Sequence, residues 1–220
     1  MRKEYGLLLD FDGIVVDSEP LYEKAMSGQF RRYGIRVDQD DWLFFKGKDS
    51  KAVFAYLREK YDSRINIDEL HAAYKKDLLE EFRRHMRFIP GFPEFFHACK
   101  AQFQDILVTS TSREVMEWTF KNVPVGNIFS DMITANEVQN TKPHPEPYLR
   151  AAERIGIPID RCVVMEDSLN GIRAGKAAGA KVIAMTTTFR PGILKEADLI
   201  VNSYGELSPE RLIALIRNTQ

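Results

Sequence analysis

The chain has 220 residues, is 44% apolar and carries a formal net charge of −1. That is enough for one packed domain, or for a core with an inserted domain, and it supplies neither the basic stripe of a nucleic-acid binder nor an acidic tail. No apolar run reaches membrane length, and only Leu7 to Leu9 precede the first aspartates, so a signal peptide and a spanning helix are set aside and the cytoplasm is the expected location.

The first element is an apolar strand over Leu7 to Leu9 that runs into Asp10-Phe11-Asp12-Gly13. Helical periodicity follows. Pro20 opens a run with Leu21, Ala25, Met26, Phe30 and Tyr33 on one face, stopped by Gly34. Two further amphipathic stretches cover Asp49 to Tyr61 and Asp68 to Met86, with no strand alternation between them. Residues 19–87 therefore read as an all-helical unit, bounded by Ser18-Glu19-Pro20 and by Phe88-Ile89-Pro90-Gly91.

Beyond Pro90 helices alternate with short strands. Helices are expected over 92–101, 114–121, 146–154 and 169–178, and strands over 106–109, 132–134, 162–165, 182–185 and 199–201. These strands lack polar alternation, as parallel strands covered on both faces do. The expected architecture is an α/β core with a doubly wound, Rossmann-like parallel sheet, residues 1–18 plus 88–220, and a helical cap domain inserted over 19–87. Cys99 and Cys162 stand far apart in apolar contexts and read as buried thiols of a reducing compartment.

Ligands of an open α/β sheet bind beyond the carboxyl ends of its strands, and those ends are polar here. The first strand ends in Asp10-Phe11-Asp12-Gly13, another in Thr109-Ser110-Thr111-Ser112, a third in Glu166-Asp167-Ser168; Lys142 lies in Thr141-Lys142-Pro143-His144-Pro145. If the extended conformation persists past Leu9, Asp10 and Asp12 point to one side and repel each other. A divalent cation between them, or a proton on one, offsets that repulsion. Carboxylates suit a hard cation, hydroxyls and helix-start amides suit an anion, and the lysine neutralises charge. Together they call for a phosphate and magnesium.

These four segments, in this order and across nearly the whole chain, resemble the motifs of the haloacid dehalogenase superfamily of phosphohydrolases. The likeness is to its subgroup with a helical cap after the first strand, where beta-phosphoglucomutase and phosphoglycolate phosphatase belong. The resemblance implies that Asp10 attacks phosphorus to give an aspartyl-phosphate, and that Asp12 protonates the leaving oxygen and then activates water. It implies that Ser110 and neighbouring amides hold the phosphoryl group and that Lys142 pairs with it and with Asp10. Gly13 and Thr111 join them in substrate binding. Mg2+ would be held by Asp10, by the backbone carbonyl of Asp12 and by Asp167, with Glu166 acting mainly through a metal-bound water.

The cap departs from the sugar-phosphate mutases of that subgroup. Tyr22 stands where they carry a histidine that assists proton transfer, and Ser50 where an arginine holds a second phosphate. Both departures favour a phosphatase over a phosphomutase. Tyr22, Lys46 and Lys48 are expected substrate contacts, although a basic loop also serves as a solvated face. Ser112 reads as a helix cap, Asp17 and Glu19 as stabilisers of a helix start, and the four histidines show no metal spacing. The expected activity is hydrolysis of a small phosphorylated metabolite, for which a monomer suffices. The rivals are a sugar phosphomutase and a non-catalytic protein that receives or binds phosphate.

Overall fold

The computed structural model describes residues 3–45, 50–61 and 66–218. Strand β1 (Tyr5–Leu9) is followed by four helices: α1 (Glu19–Tyr33), α2 (Gln39–Phe45), α3 (Ser50–Lys60) and α4 (Ile67–His85). The chain then alternates: α5 (Phe92–Cys99), β2 (Phe103–Val108), α6 (Arg113–Asn122), β3 (Met132–Ile133), α7 (Glu146–Ile155), β4 (Cys162–Glu166), α8 (Leu169–Ala178), β5 (Lys181–Met185), β6 (Leu199–Val201) and α9 (Pro209–Arg217). All six strands are parallel, in the order β3-β2-β1-β4-β5-β6.

The uninterrupted apolar strands follow from burial on both faces. Leu8, Ile106, Val108, Val164 and Val182 pack against Tyr148, Ala151 and Ala152 of α7 and Ile172 of α8. Their neighbours Leu7, Leu9, Leu107, Met165 and Ile183 belong to a second cluster with Phe92, Phe95 and Phe96 of α5 and Leu212 of α9. Alternation of side chains along each strand divides the two layers. Cys99 and Cys162 are free and buried, as their contexts imply.

The helices after β1 form the inserted cap. Its leucine and phenylalanine stripes, Leu70, Leu78 and Phe82 of α4 with Leu21, Met26 and Phe30 of α1, close on each other. Two helices are absent from the sequence reading. The seven residues of α2 are too few to show a period, and Asp41, fully buried in it, accepts bonds from the hydroxyls of Tyr56 and Tyr61 and from Lys60. The final helix α9 is capped by Ser208 and buries Leu212 and Ile216. The chain leaves and re-enters the core along paired segments: Asp17 N–H donates to Arg87 O at 3.1 Å and Ile89 N–H to Val15 O at 3.0 Å.

Candidate active site

In this strand order the chain reverses direction at β1, whose neighbours β2 and β4 lie on opposite sides, so the crevice lies beyond the ends of β1 and β4. Leu9 pairs with Met165, and Asp10 N–H extends the ladder by donating to Met165 O at 3.1 Å. Register thus sets Asp10 beside Glu166. One ligand atom from each of Asp10, Glu166 and Asp167 lies within 4.8 Å of the others.

Lys142 enters this cluster from the loop before α7. Its side chain is 6% exposed, and its Nζ donates to Asp10 Oδ1 at 2.8 Å, to Glu166 Oε1 at 2.7 Å and to Val108 O at 2.9 Å. The loop is pinned by Glu146, whose carboxylate accepts the backbone N–H groups of Gln139 and Asn140, both at 2.9 Å. Burial alone would lower Lys142, but Asp10 and Glu166 outweigh it and hold the ammonium above its ordinary range. Burial pushes Asp10 up to about 7 against the pull of Lys142, with Glu166 and Asp12 adding to the rise. Asp167 is driven well above the carboxylate range by burial and by the charges of Glu166 and Asp10. Three carboxylates against one ammonium leave an excess of negative charge, and hard oxygen donors at this spacing fit a divalent cation.

Asp12 is turned differently. Beyond Leu9 the chain bends, with Gly13 at φ +68°, and the Asp12 carboxylate lies outside the three-acid group. It accepts a hydrogen bond from Ser18, which is fully buried at the start of α1, and another from Tyr22 one turn further on. Burial raises its proton affinity, and those two bonds moderate the rise. Tyr22 also hydrogen-bonds Thr111, and its ring packs edge-on against Phe82 at 5.4 Å. Gly13 has no alternative here. A Cβ would stand 1.9 Å from Asp167 Oδ2, in a backbone conformation that L side chains rarely adopt.

Ser110 is exposed just past β2, and Thr111 N–H donates to Thr109 Oγ1 at 3.1 Å, shaping the loop before the Ser112 cap of α6. The expected site residues Asp10, Asp12, Gly13, Tyr22, Ser110, Thr111, Lys142, Glu166 and Asp167 therefore gather around one end of the sheet. Lys46 and Lys48 lie outside the described residues, as does the side chain of Ser50.

Four side chains escape the sequence reading. Ser18 makes no side-chain cap bond to α1, and its hydroxyl goes to Asp12 instead. Thr187 Oγ1 donates to Gly13 O at 2.6 Å, and Thr188 donates to Asp167 Oδ2. The run Thr186-Thr187-Thr188 follows β5, so the strand-end rule that picks out the other loops applies to it too. Tyr148, 0% exposed, donates to Glu166 Oε1 at 2.6 Å. Its helical position looks like ordinary core, and nothing local marks the hydroxyl.

A six-stranded parallel sheet with a helical cap, and acids with a buried lysine at its switch point, define a Rossmann-like α/β protein with an enzyme-type site. A model of the haloacid dehalogenase-like hydrolases matches residues 7–185. The chain belongs to that family and is an enzyme. Hexitol phosphatase A of Escherichia coli is 30% identical over 92% of this chain and 93% of its own. Glycerol-1-phosphate phosphohydrolase 2 of Saccharomyces cerevisiae is 31% identical over 92% of this chain and 83% of its own. Protein Suppressor of Quenching 1 of Arabidopsis thaliana is 29% identical over 94% of this chain, which spans 20% of that longer protein. CbbY of Rhodobacter sphaeroides, solved in complex with phosphate, shares the fold with a TM-score of 0.83 at 23% identity, over 96% of this chain and 99% of that one.

Proposed function

We propose that this phosphoric monoester hydrolase is a Mg2+-dependent phosphatase acting on a small phosphorylated metabolite through an aspartyl-phosphate on Asp10. The observation that carries the reading is the Lys142 ammonium seated between Asp10 Oδ1 and Glu166 Oε1, in a cluster whose excess negative charge suits a cation. Asp10 attacks phosphorus in line while the bond to the leaving oxygen breaks, and Asp12 gives that oxygen its proton. Asp12 then takes a proton from the water that attacks the phosphoaspartate, which returns Asp10 and releases inorganic phosphate. Ser110, Thr111 and the nearby amides hold the phosphoryl oxygens, with Gly13 leaving room beside them. Asp10, Asp167 and the Asp12 carbonyl would hold the ion, with Glu166 behind them. When bound, Mg2+ supplies positive charge that offsets the carboxylates and the phosphoryl oxygens.

Residues 19–87 act as the cap that excludes bulk water, with Tyr22, Lys46 and Lys48 as substrate contacts. The relatives are named for a hexitol and a glycerol phosphate, which puts phosphorylated polyols and sugars first among substrates. The test is phosphate release from a panel of such esters, with Mg2+ or with a chelator, for wild type and Asp10→Asn. Metal-dependent release that the variant lacks is the expected result; isomer products in excess of free phosphate would make the enzyme a mutase. Full activity of Asp10→Asn would sink the mechanism.

A further inference from the structure

Glu166 is crowded with donors. Its Oε1 accepts from Lys142 Nζ at 2.7 Å and from the Tyr148 hydroxyl at 2.6 Å. Its Oε2 accepts from Ser168 Oγ at 2.9 Å and from the backbone N–H groups of Asp167 and Ser168, each at 3.2 Å. A carboxylate offers about four lone-pair sites, so protein donors already fill it. Both Glu166 and Tyr148 are 0% exposed. The Tyr148 ring also lies under the ammonium, with Lys142 Nζ 5.1 Å from its centroid. One phenol therefore touches both partners of the Lys142–Glu166 pair.

We infer that Tyr148 is a positioning residue: its hydroxyl occupies Glu166 Oε1, which keeps Lys142 directed at Asp10 and keeps Glu166 out of a bound cation's inner shell. Lys142 is shared between two carboxylates at nearly equal distance, 2.8 Å to Asp10 and 2.7 Å to Glu166. A donor on Glu166 withdraws charge from the oxygen that competes with Asp10. Without it, Glu166 Oε1 binds Lys142 more strongly and also regains a lone pair for a metal ion. The inference deepens the phosphatase reading and in its catalytic part rests on it.

The substitution that isolates the hydroxyl is Tyr148→Phe, since the ring keeps its packing and its place under Lys142. Two measurements are made on wild type and variant. The first is the rise in melting temperature with Mg2+ concentration, which needs no turnover; the apparent affinity of the variant should tighten by about threefold or more as Glu166 becomes available. The second is steady-state hydrolysis of glycerol 1-phosphate at saturating Mg2+. There kcat should fall about tenfold, as for removal of other residues that orient metal-site carboxylates, with KM changed less than about threefold. Unchanged or weaker Mg2+ binding overturns the inference whatever the activity. A rise in KM at constant kcat overturns the claim on Lys142. Tighter Mg2+ binding in a protein that hydrolyses no ester would leave the Glu166 part standing and place the failure in the phosphatase reading.

Discussion

Lys142 Nζ lies 2.8 Å from Asp10 Oδ1, although 132 residues separate the two in the chain. The contact joins the loop before α7 to the end of β1 across the crevice where catalysis is expected. Breaking a buried pair by removing one partner leaves uncompensated charge, at a cost of about 3–5 kcal/mol. Lys142→Met should therefore lose phosphatase activity and unfold at lower denaturant at pH 8. Part of that stability should return at pH 6, because the orphaned Asp10 carboxyl, already pushed up by burial and no longer held down by Lys142, takes up a proton in the folded protein. An unchanged midpoint at pH 8 would contradict the pairing.

Asp167 gives the opposite sign for stability. Burial and the charges of Glu166 and Asp10 make its ionised form costly in the absence of a cation. Asp167→Asn removes one of three crowded like charges, so in chelator its melting temperature should exceed that of wild type. Added Mg2+ should raise the wild-type value and leave the variant nearly unmoved, with activity lost. Melting curves with and without the ion decide it; a variant that melts below wild type in chelator would refute the crowding.

Gly171 tests the packing behind the site. It lies in the first turn of α8, where a Cβ would stand 1.8 Å from Glu166 Oε1, an oxygen already held by Lys142 and Tyr148. Gly171→Ala must displace Glu166, with a stability loss of about 1–3 kcal/mol as for other overpacked sites. Urea unfolding reads the stability and the phosphatase assay the displacement, and both should fall together.

Asp105 supplies an acid-sensitive tie away from the site. It is 1% exposed in β2 and accepts from Lys100 Nζ at 2.8 Å and from Ser130 N and Oγ, both at 2.9 Å. Burial alone would raise its proton affinity, but these bonds outweigh it and hold the carboxyl below the usual range. A depressed folded value means that the stabilisation is complete above the unfolded value, about 3.9, and is lost as pH falls through that region and below. Asp105→Asn should cost about 1–3 kcal/mol at neutral pH. It should also flatten the acid limb of a stability-against-pH curve measured below pH 5.

The sequence carries most of this architecture because the relevant signals are local. Apolar runs at Leu7 to Leu9 and Cys162 to Met165 mark buried strands, and the α4 stripe of Leu70, Tyr74, Leu78 and Phe82 marks a helix. Polar residues just past those strands mark the crevice. Helix α2 was hidden by its brevity, and α9 lies beyond the last strand, with no site motif to draw notice.

What the sequence determined by itself is the set of candidate groups: Asp10, Asp12, Ser110, Lys142, Glu166 and Asp167 are marked by their places at strand ends and in a Pro-flanked loop. What only the tertiary structure decided is how they are held. Ser18 turns from its helix to Asp12, Thr188 reaches Asp167 from a loop 21 residues on, and Tyr148 spends a core position on Glu166. Periodicity records which face of an element is buried, whereas a buried hydroxyl's partner depends on which other elements meet that face, and parallel packing around β1 settles that only once all the strands are in register.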